Sequence, residues 1–243
     1  MLRSVHYAYP SQRGIHELSL SVNHGEICGI LGSNGAGKST AFKIISGLIK
    51  PQRGRVFLNG RNVSHLPLWK RARLGLGYLS QEGALFDQLT VMENIEAAQL
   101  APKDMTHTQA LQNDNDPDIT EIMNNLGISN LSTVKVSNLS GGERRRVELA
   151  RLIALKPQVV LLDEPFAALD PHTISTMRNV IFMLKKRNVA VLLTDHQVHQ
   201  AMSLCDRVYL LHEGKLIVEG SPQYVQQDRN AQILYLGVPH ASP

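Results

Sequence analysis

The sequence predicts an α/β fold in which a mainly parallel sheet is covered on both faces by helices. An antiparallel β subdomain precedes it and a helical subdomain is inserted into it. Three observations predict this. Apolar runs of strand length recur along the chain, as at Val159-Val160-Leu161-Leu162 and Val189-Ala190-Val191-Leu192-Leu193, with helical patterns between them. One such run leads directly into Gly32-Ser33-Asn34-Gly35-Ala36-Gly37-Lys38-Ser39, which has the spacing of a phosphate-binding loop between a strand and a helix. From residue 90 to residue 155 the pattern turns helical.

The elements follow in order. Residues 2–9 and 15–22 alternate like strands and flank a Pro10-Ser11-Gln12-Arg13-Gly14 turn, the signature of an antiparallel pair. Glu26-Ile27-Cys28-Gly29-Ile30-Leu31 reads as a buried strand, and residues 40–48 as a helix ended by Gly47 and Pro51. Gly54-Arg55-Val56-Phe57-Leu58 with Asn59-Gly60 is a strand and its turn. Pro67 opens a basic helix through Arg73, and Gly77-Tyr78-Leu79-Ser80-Gln81 is a short strand entering a loop. A polar stretch at residues 103–118 interrupts the helical region and is expected to be an exposed, mobile connection. Strands return at 159–162, 189–194, 207–211 and 215–219. The tail from residue 223 carries a weakly helical pattern. The expected organisation is one domain over residues 1–243. Residues 1–85 and 157–222 form the P-loop NTPase core, 86–156 the helical subdomain, and 223–243 a short tail.

Composition excludes several classes. With 243 residues, 43% hydrophobic content and a net charge of +4, the chain can bury a large core and is ordinary for a globular protein. No apolar run approaches the roughly 18 residues of a membrane span, and the N-terminus lacks a signal peptide's apolar region. Two cysteines, Cys28 and Cys205, supply no disulfide framework or metal cluster and fit a reducing compartment, with Cys28 expected in the core. The basic clusters Lys70-Arg71-Ala72-Arg73 and Arg144-Arg145-Arg146 are expected to be solvated helix faces, and nothing resembles a nucleic-acid-binding arm.

The loop dictates chemistry. Glycines let backbone N–H groups turn inward around phosphate oxygens, Lys38 reaches the β- and γ-phosphates, and the Ser39 hydroxyl suits Mg²⁺. The helix that begins there adds its positive end. Asp163 and Glu164 close an apolar strand, which places Asp163 to hold Mg²⁺ and Glu164 to polarise water. Thr194-Asp195-His196 repeats that geometry, so a neutral His196 imidazole can hydrogen-bond a γ-phosphate; as one of ten histidines it is otherwise an ordinary surface residue. Gln81 has an amide able to ligate Mg²⁺ or hold water, though spacing alone makes it a loop glutamine. Ser140-Gly141-Gly142-Glu143 starts a helix with Ser140 and Glu143 spaced as a capping box. Two glycines in a first turn cost roughly 1 kcal/mol each against alanine, a cost that makes sense where an anion approaches closely.

Taken together these residues resemble the ATP-binding-cassette family across nearly the whole chain. The motifs run in the family's order: phosphate loop, Gln81 lid loop, Leu139-Ser140-Gly141-Gly142-Glu143 signature, magnesium strand ending at Asp163 and Glu164, Ala168-Leu169-Asp170 dimer loop, and His196 switch. The resemblance implies an ATPase that uses Mg²⁺ and packs head-to-tail with a second copy. Each ATP then lies between one phosphate loop, including Thr40, and the partner's signature residues. It also implies that Tyr9, or failing that Tyr7, stacks on adenine.

Within the family, several stretches are similar to the branch that powers lipopolysaccharide export. They are Leu66-Pro67-Leu68 with Arg71-Ala72-Arg73, Gly77-Tyr78-Leu79, Gly141-Gly142-Glu143-Arg144-Arg145-Arg146-Val147-Glu148, Leu162-Asp163-Glu164-Pro165-Phe166-Ala167, Thr194-Asp195-His196 and Tyr235-Leu236-Gly237. That similarity implies two separate transmembrane subunits and a position on the cytoplasmic face of the inner membrane. It also gives Phe86 two readings, a place in the groove that receives those subunits or a buried packing aromatic. Ser33, Ser80 and Ala168 depart from the usual residues without touching a catalytic group. An importer ATPase for branched-chain amino acids or other solutes differs from this reading in its partners. A soluble ATP switch in DNA repair or translation differs in lacking membrane partners, but such relatives carry coiled coils or paired cassettes that this chain does not.

Overall fold

The computed structural model describes residues 1–11, 13–81, 83–100, 118–167, 169–196 and 198–236. Two sheets are stacked through a shared apolar layer. The first is antiparallel and built from β1 (Leu2–Ala8), β2 (Gly14–Leu20), β4 (Arg53–Leu58) and β5 (Arg61–Asn62), in the order β2-β1-β4-β5. The second contains β3 (Ile27–Gly32), β6 (Leu76–Leu79), β7 (Val159–Asp163), β8 (Ala190–Thr194), β9 (Arg207–His212) and β10 (Lys215–Gly220), in the order β10-β9-β3-β8-β7-β6. Its pairings are parallel from β9 through β6, and β10 adds an antiparallel edge. Every residue of β3, β7 and β8 is buried. That is why these strands read as unbroken apolar runs rather than as alternation.

The helices are α1 (Lys38–Ser46), α2 (Leu68–Arg73), α3 (Val91–Gln99), α4 (Ile119–Asn125), α5 (Gly141–Ala154), α6 (Pro171–Lys186), α7 (Val198–Met202), α8 (Pro222–Gln227) and α9 (Arg229–Ala231). Their ends follow local chemistry. Gly47 ends α1 at φ 86° and donates its N–H to Ile44 O at 3.2 Å. Thr90 with Glu93 and Ser140 with Glu143 form complete capping boxes on α3 and α5. Asp170 caps α6 ahead of Pro171. No helix among the described residues is long and apolar enough to cross a membrane.

One apolar cluster joins α3, α4 and α5 to the underside of the six-stranded sheet, through Val91, Ile95, Ile122, Val147, Val160 and Leu193 among others. The helical region is therefore cored on the sheet itself. A second cluster lies between the two sheets and α1, and Cys28 lies in it, fully buried as expected. The weakly helical tail is more than an appendage: Val225 and Ala231 are wholly buried in the first cluster and Tyr235 packs against it. Residues 103–117 of the expected mobile connection, Ala168 and residues 237–243 lie outside the described residues, while Asp118 caps α4 by accepting the Glu121 N–H at 2.7 Å.

The expectation that residues 70–73 form a solvated basic face fails at Arg71. Its side chain is 0% exposed. The guanidinium donates to Ile44 O at 2.6 Å, Ile45 O at 2.7 Å, Leu66 O at 2.8 Å and Ser64 O at 3.4 Å. Burial pushes its pKa down to about 10. A guanidinium offers five donors in a rigid fork, so it can close the carbonyl end of α1 and the preceding loop at once.

Candidate nucleotide site

Parallel pairing brings the carboxyl ends of β3, β8 and β7 side by side, with Gly29 registered on Leu193 and Asp163 on Thr194. In open α/β sheets ligands bind beyond such ends. The phosphate loop leaves β3 at Gly32 and turns through Gly35 at φ 81° and Gly37 at φ 103°. A Cβ at Gly35 would meet open space, so glycine is needed there for the left-handed backbone rather than for room. At Gly32 a Cβ would lie 2.3 Å from Leu211 O, so that position also needs the space. Asn34, Gly35 and Ser39 are exposed, Ser33 is half-buried, and Ala36, Gly37 and Thr40 are buried.

Gly37 caps α1 without a side-chain bond, and no acid lies in the first turn. The free N–H groups of that turn are thus the kind of donors a phosphate takes up. Lys38, 6% exposed, donates to Gly32 O at 2.8 Å and to Ser33 O at 3.0 Å. Burial pushes its pKa down, while Glu164 and Asp163 act to hold it up.

Glu164 is the hub of the remaining groups. Its backbone sits at φ 50°, in the left-handed region that non-glycine residues seldom occupy, and its N–H donates to Thr194 O at 2.8 Å. Its Oε1 lies 2.5 Å from His196 Nε2, and its Oε2 accepts from Gln81 Nε2. The carboxylate is 12% exposed, whereas the imidazole is 51% exposed. Beside it, burial raises the pKa of Asp163, opposed by the Tyr78 hydroxyl, which donates to Asp163 Oδ2 at 3.2 Å. Gln81, Asp163, Glu164, His196 and Lys38, chosen from four separated segments, therefore converge.

The signature residues have partners of their own. Glu143 Oε2 accepts from Ser140 N at 2.8 Å and Ser140 Oγ at 2.6 Å, which keeps its pKa below the usual carboxylate value. A Cβ on Gly142 would lie 3.2 Å from both Asp170 Oδ2 and Thr173 Oγ1, so the dimer-loop aspartate and the signature turn are neighbours. Asp170 accepts from the N–H groups of His172 and Thr173, each at 3.0 Å, and from Thr173 Oγ1 at 2.5 Å. Gly141 faces open space.

Tyr9 and Tyr7 stack edge to face with centroids 4.9 Å apart, and Tyr7 packs on the second cluster. Their hairpin reaches the loop, since a Cβ on Gly37 would lie 2.8 Å from Gly14 O. Phe86 is 51% exposed beneath the Arg151 guanidinium, 5.0 Å from its ring, so the buried-packing alternative is excluded. The arginines of α5 are not a freely solvated face either. Arg144 pairs with Asp87 at 2.7 Å, Arg145 donates to Ser80 O at 3.1 Å and pairs with Glu148 at 2.7 Å, and Arg151 donates to Ala84 O. Together they fasten the lid loop to the signature helix.

Three residues of the site carry roles that their sequence positions did not assign. Tyr78 steadies Asp163, Asp195 accepts the Phe166 N–H at 3.2 Å, and the Tyr235 phenol shares a hydrogen bond with the backbone of Gly32. Tyr78 and Asp195 lie beside singled-out positions, and that adjacency was the available signal. Tyr235 is brought in from the tail by folding alone.

Comparison with known proteins agrees with this geometry. The profile of the ABC transporter family matches residues 15–167. Relatives include the "Lipopolysaccharide export system ATP-binding protein LptB" of Haemophilus influenzae, 40% identical over 95% of this chain and 93% of that protein. The protein of the same name from Acidithiobacillus ferridurans is 39% identical over 97% and 95%. Among solved structures, an "ATP binding subunit of ABC transporter" superposes with a TM-score of 0.81 at 24% identity, covering 97% of both chains. ATPase subunits of this kind dimerise and work with transmembrane subunits. A phosphate loop, a glutamate held between glutamine and histidine, and a capped signature turn are thus accounted for together: the chain belongs to the ABC transporter family, as an ATP-hydrolysing nucleotide-binding subunit.

Proposed function

We propose that this chain powers a lipopolysaccharide exporter from the cytoplasmic face of the inner membrane, as a homodimer bound to two separate transmembrane subunits. The observation that carries the cargo is the similarity to lipopolysaccharide export ATPases at about 40% identity along 95% of the chain. Residues 1–85 and 157–222 act as the nucleotide-binding core, 86–156 as the helical subdomain, and exposed Phe86 lies in the groove that receives the membrane subunits.

In the chemistry, Tyr9 stacks on adenine and the loop from Gly32 to Thr40 wraps the phosphates. Lys38 exchanges its two loop carbonyls for β- and γ-phosphate oxygens, whose negative charge favours the protonated amine despite burial. The Ser39 hydroxyl, Asp163 and the Gln81 amide oxygen are hard oxygen donors that fit Mg²⁺. When bound, that ion neutralises charge on the phosphate oxygens. Glu164 polarises the attacking water, and His196 orients it toward the γ-phosphorus. The partner copy closes the site with Ser140, Gly141 and Gly142, Glu143 holding their turn in shape and Asp170 meeting the other protomer. The open space in front of Gly141 within one chain supports this sharing.

Two measurements test the reading. Glu164→Gln retains the shape of the side chain and removes its basicity, so turnover should fall at least a hundredfold. ATP binding should persist and a stable dimer accumulate in size-exclusion chromatography; hydrolysis near the native rate refutes the role of Glu164. Purification from native membranes should bring down two transmembrane chains, and depletion should stop lipopolysaccharide reaching the outer membrane. Co-purification with a solute-binding importer system instead refutes the cargo.

A further inference from the structure

Beyond the nucleotide site, a cavity of about 410 Å³ opens between the two sheets. Its walls are aliphatic, with Leu20, Ile45, Val56, Leu76, Leu161 and Leu192 among them, and all six belong to the second core cluster. The space is open to solvent at exposed Arg3, His24 and Asn59 and reaches inward to buried Leu161 and Leu192. It falls within the range of small-molecule sites.

The cavity is remote from the phosphates. Val159 and Leu76 begin their strands, whereas the phosphate loop follows the far end of β3. Ile45 lies seven residues along α1 from Lys38, roughly 10 Å at 1.5 Å per residue. The polar lining is one-sided. Arg3, His24 and Arg71 contribute to it, together with Asn23 and Asn59, and among the described residues no aspartate or glutamate does. Arg3, His24 and Asn59 are exposed and form the mouth, while Arg71 is wholly buried. An apolar interior approached past fixed positive charge selects a ligand with an aliphatic body and an anionic end. At roughly 30 Å³ per water-sized group, the volume suits about a dozen non-hydrogen atoms.

We propose that this cavity binds a single-chain aliphatic carboxylate of about eight to twelve carbons. The chain lies among Leu20, Val56, Leu161 and Leu192, and the carboxylate meets the guanidinium groups of Arg3 and Arg71. Because Arg71 also bonds the last carbonyls of α1, the occupied cavity abuts the helix whose other end carries Lys38 and Ser39.

Sodium decanoate titrated into the full-length protein, with methyl NMR as readout, tests this. Saturable shifts are expected at the methyls of Leu20, Val56, Leu161 and Leu192, with a Kd on the order of 100 µM. Decanol, which lacks the charge, should bind at least fivefold more weakly. Arg3→Glu, an exposed change remote from the nucleotide site, should weaken decanoate at least fivefold and leave decanol within twofold. The Lys38→Ala variant, which lacks the phosphate-loop amine, should bind decanoate as the native chain does. Absence of saturable shifts up to millimolar decanoate overturns the proposal. So do shifts centred on exposed Leu48 or Leu100, and so does equal affinity for decanoate and decanol.

Discussion

Arg71→Met removes a buried charge of similar size and exposes what that charge contributes. Three of the four guanidinium bonds are short, at 2.6, 2.7 and 2.8 Å, and their acceptors are Ile44 O, Ile45 O and Leu66 O. Ile44 O keeps the Gly47 N–H at 3.2 Å, while Ile45 O and Leu66 O lose their guanidinium partner. A buried acceptor left unpaired costs about 1–3 kcal/mol, so buried Ile45 O and half-buried Leu66 O together give at most about 2–6 kcal/mol. The variant no longer carries the desolvation of the charge, which its lowered pKa of about 10 makes evident. The lower half of the range is therefore expected, about 3 kcal/mol. With an m-value of about 3 kcal/mol per molar urea, the unfolding midpoint should fall by about 1 M at unchanged m. Circular dichroism during urea titration measures it. A midpoint shift under about 0.2 M would show that the carbonyls find other partners and that Arg71 is not the clamp on α1.

Other outcomes follow from the same geometry. Asp163 has its folded pKa raised above 3.8 by burial, so its ionised form costs stability, and that cost grows as pH rises through the folded value. Asp163→Asn should raise the Tm at pH 7 by a few degrees while ending hydrolysis, the gain shrinking as pH falls toward 3.8; a lower Tm at pH 7 refutes the burial argument. Glu26 runs the other way. Burial acts to raise its pKa, but the Arg207 bonds at 2.8 and 3.1 Å together with the Asn23 N–H at 2.8 Å hold it below 4.5. Its contribution is present above pH 4.5 and lost as pH falls, so Glu26→Gln should flatten the decline of stability with acid, and an unchanged slope excludes it. Gly141→Ala meets no atom within 4 Å in its own chain and should hold or raise stability by up to about 1 kcal/mol. Under the proposed sharing of the site between two copies, hydrolysis should nonetheless drop at least tenfold, because the methyl group would occupy the space the partner's γ-phosphate needs; native activity would show that nothing approaches there.

Local chemistry made much of this protein legible as sequence. The phosphate loop, the Ser140–Glu143 capping box and the acids ending β7 each depend on neighbours within a few residues, so spacing alone reveals them. The strands β3, β7 and β8 were equally plain, because burial on both faces demands continuous apolar runs. Tertiary structure decided the rest. Arg71 and Arg73 look alike in a basic helix, yet one is sealed beneath α1 and the other lies over the exposed Trp69 ring at 4.9 Å. Tyr235 reaches Gly32 across some two hundred residues, and the cavity is lined from both sheets, by residues as far apart as Arg3 and Leu192. Such features depend on which distant surfaces come together, and a run of residue types carries no record of the depth to which each side chain sinks.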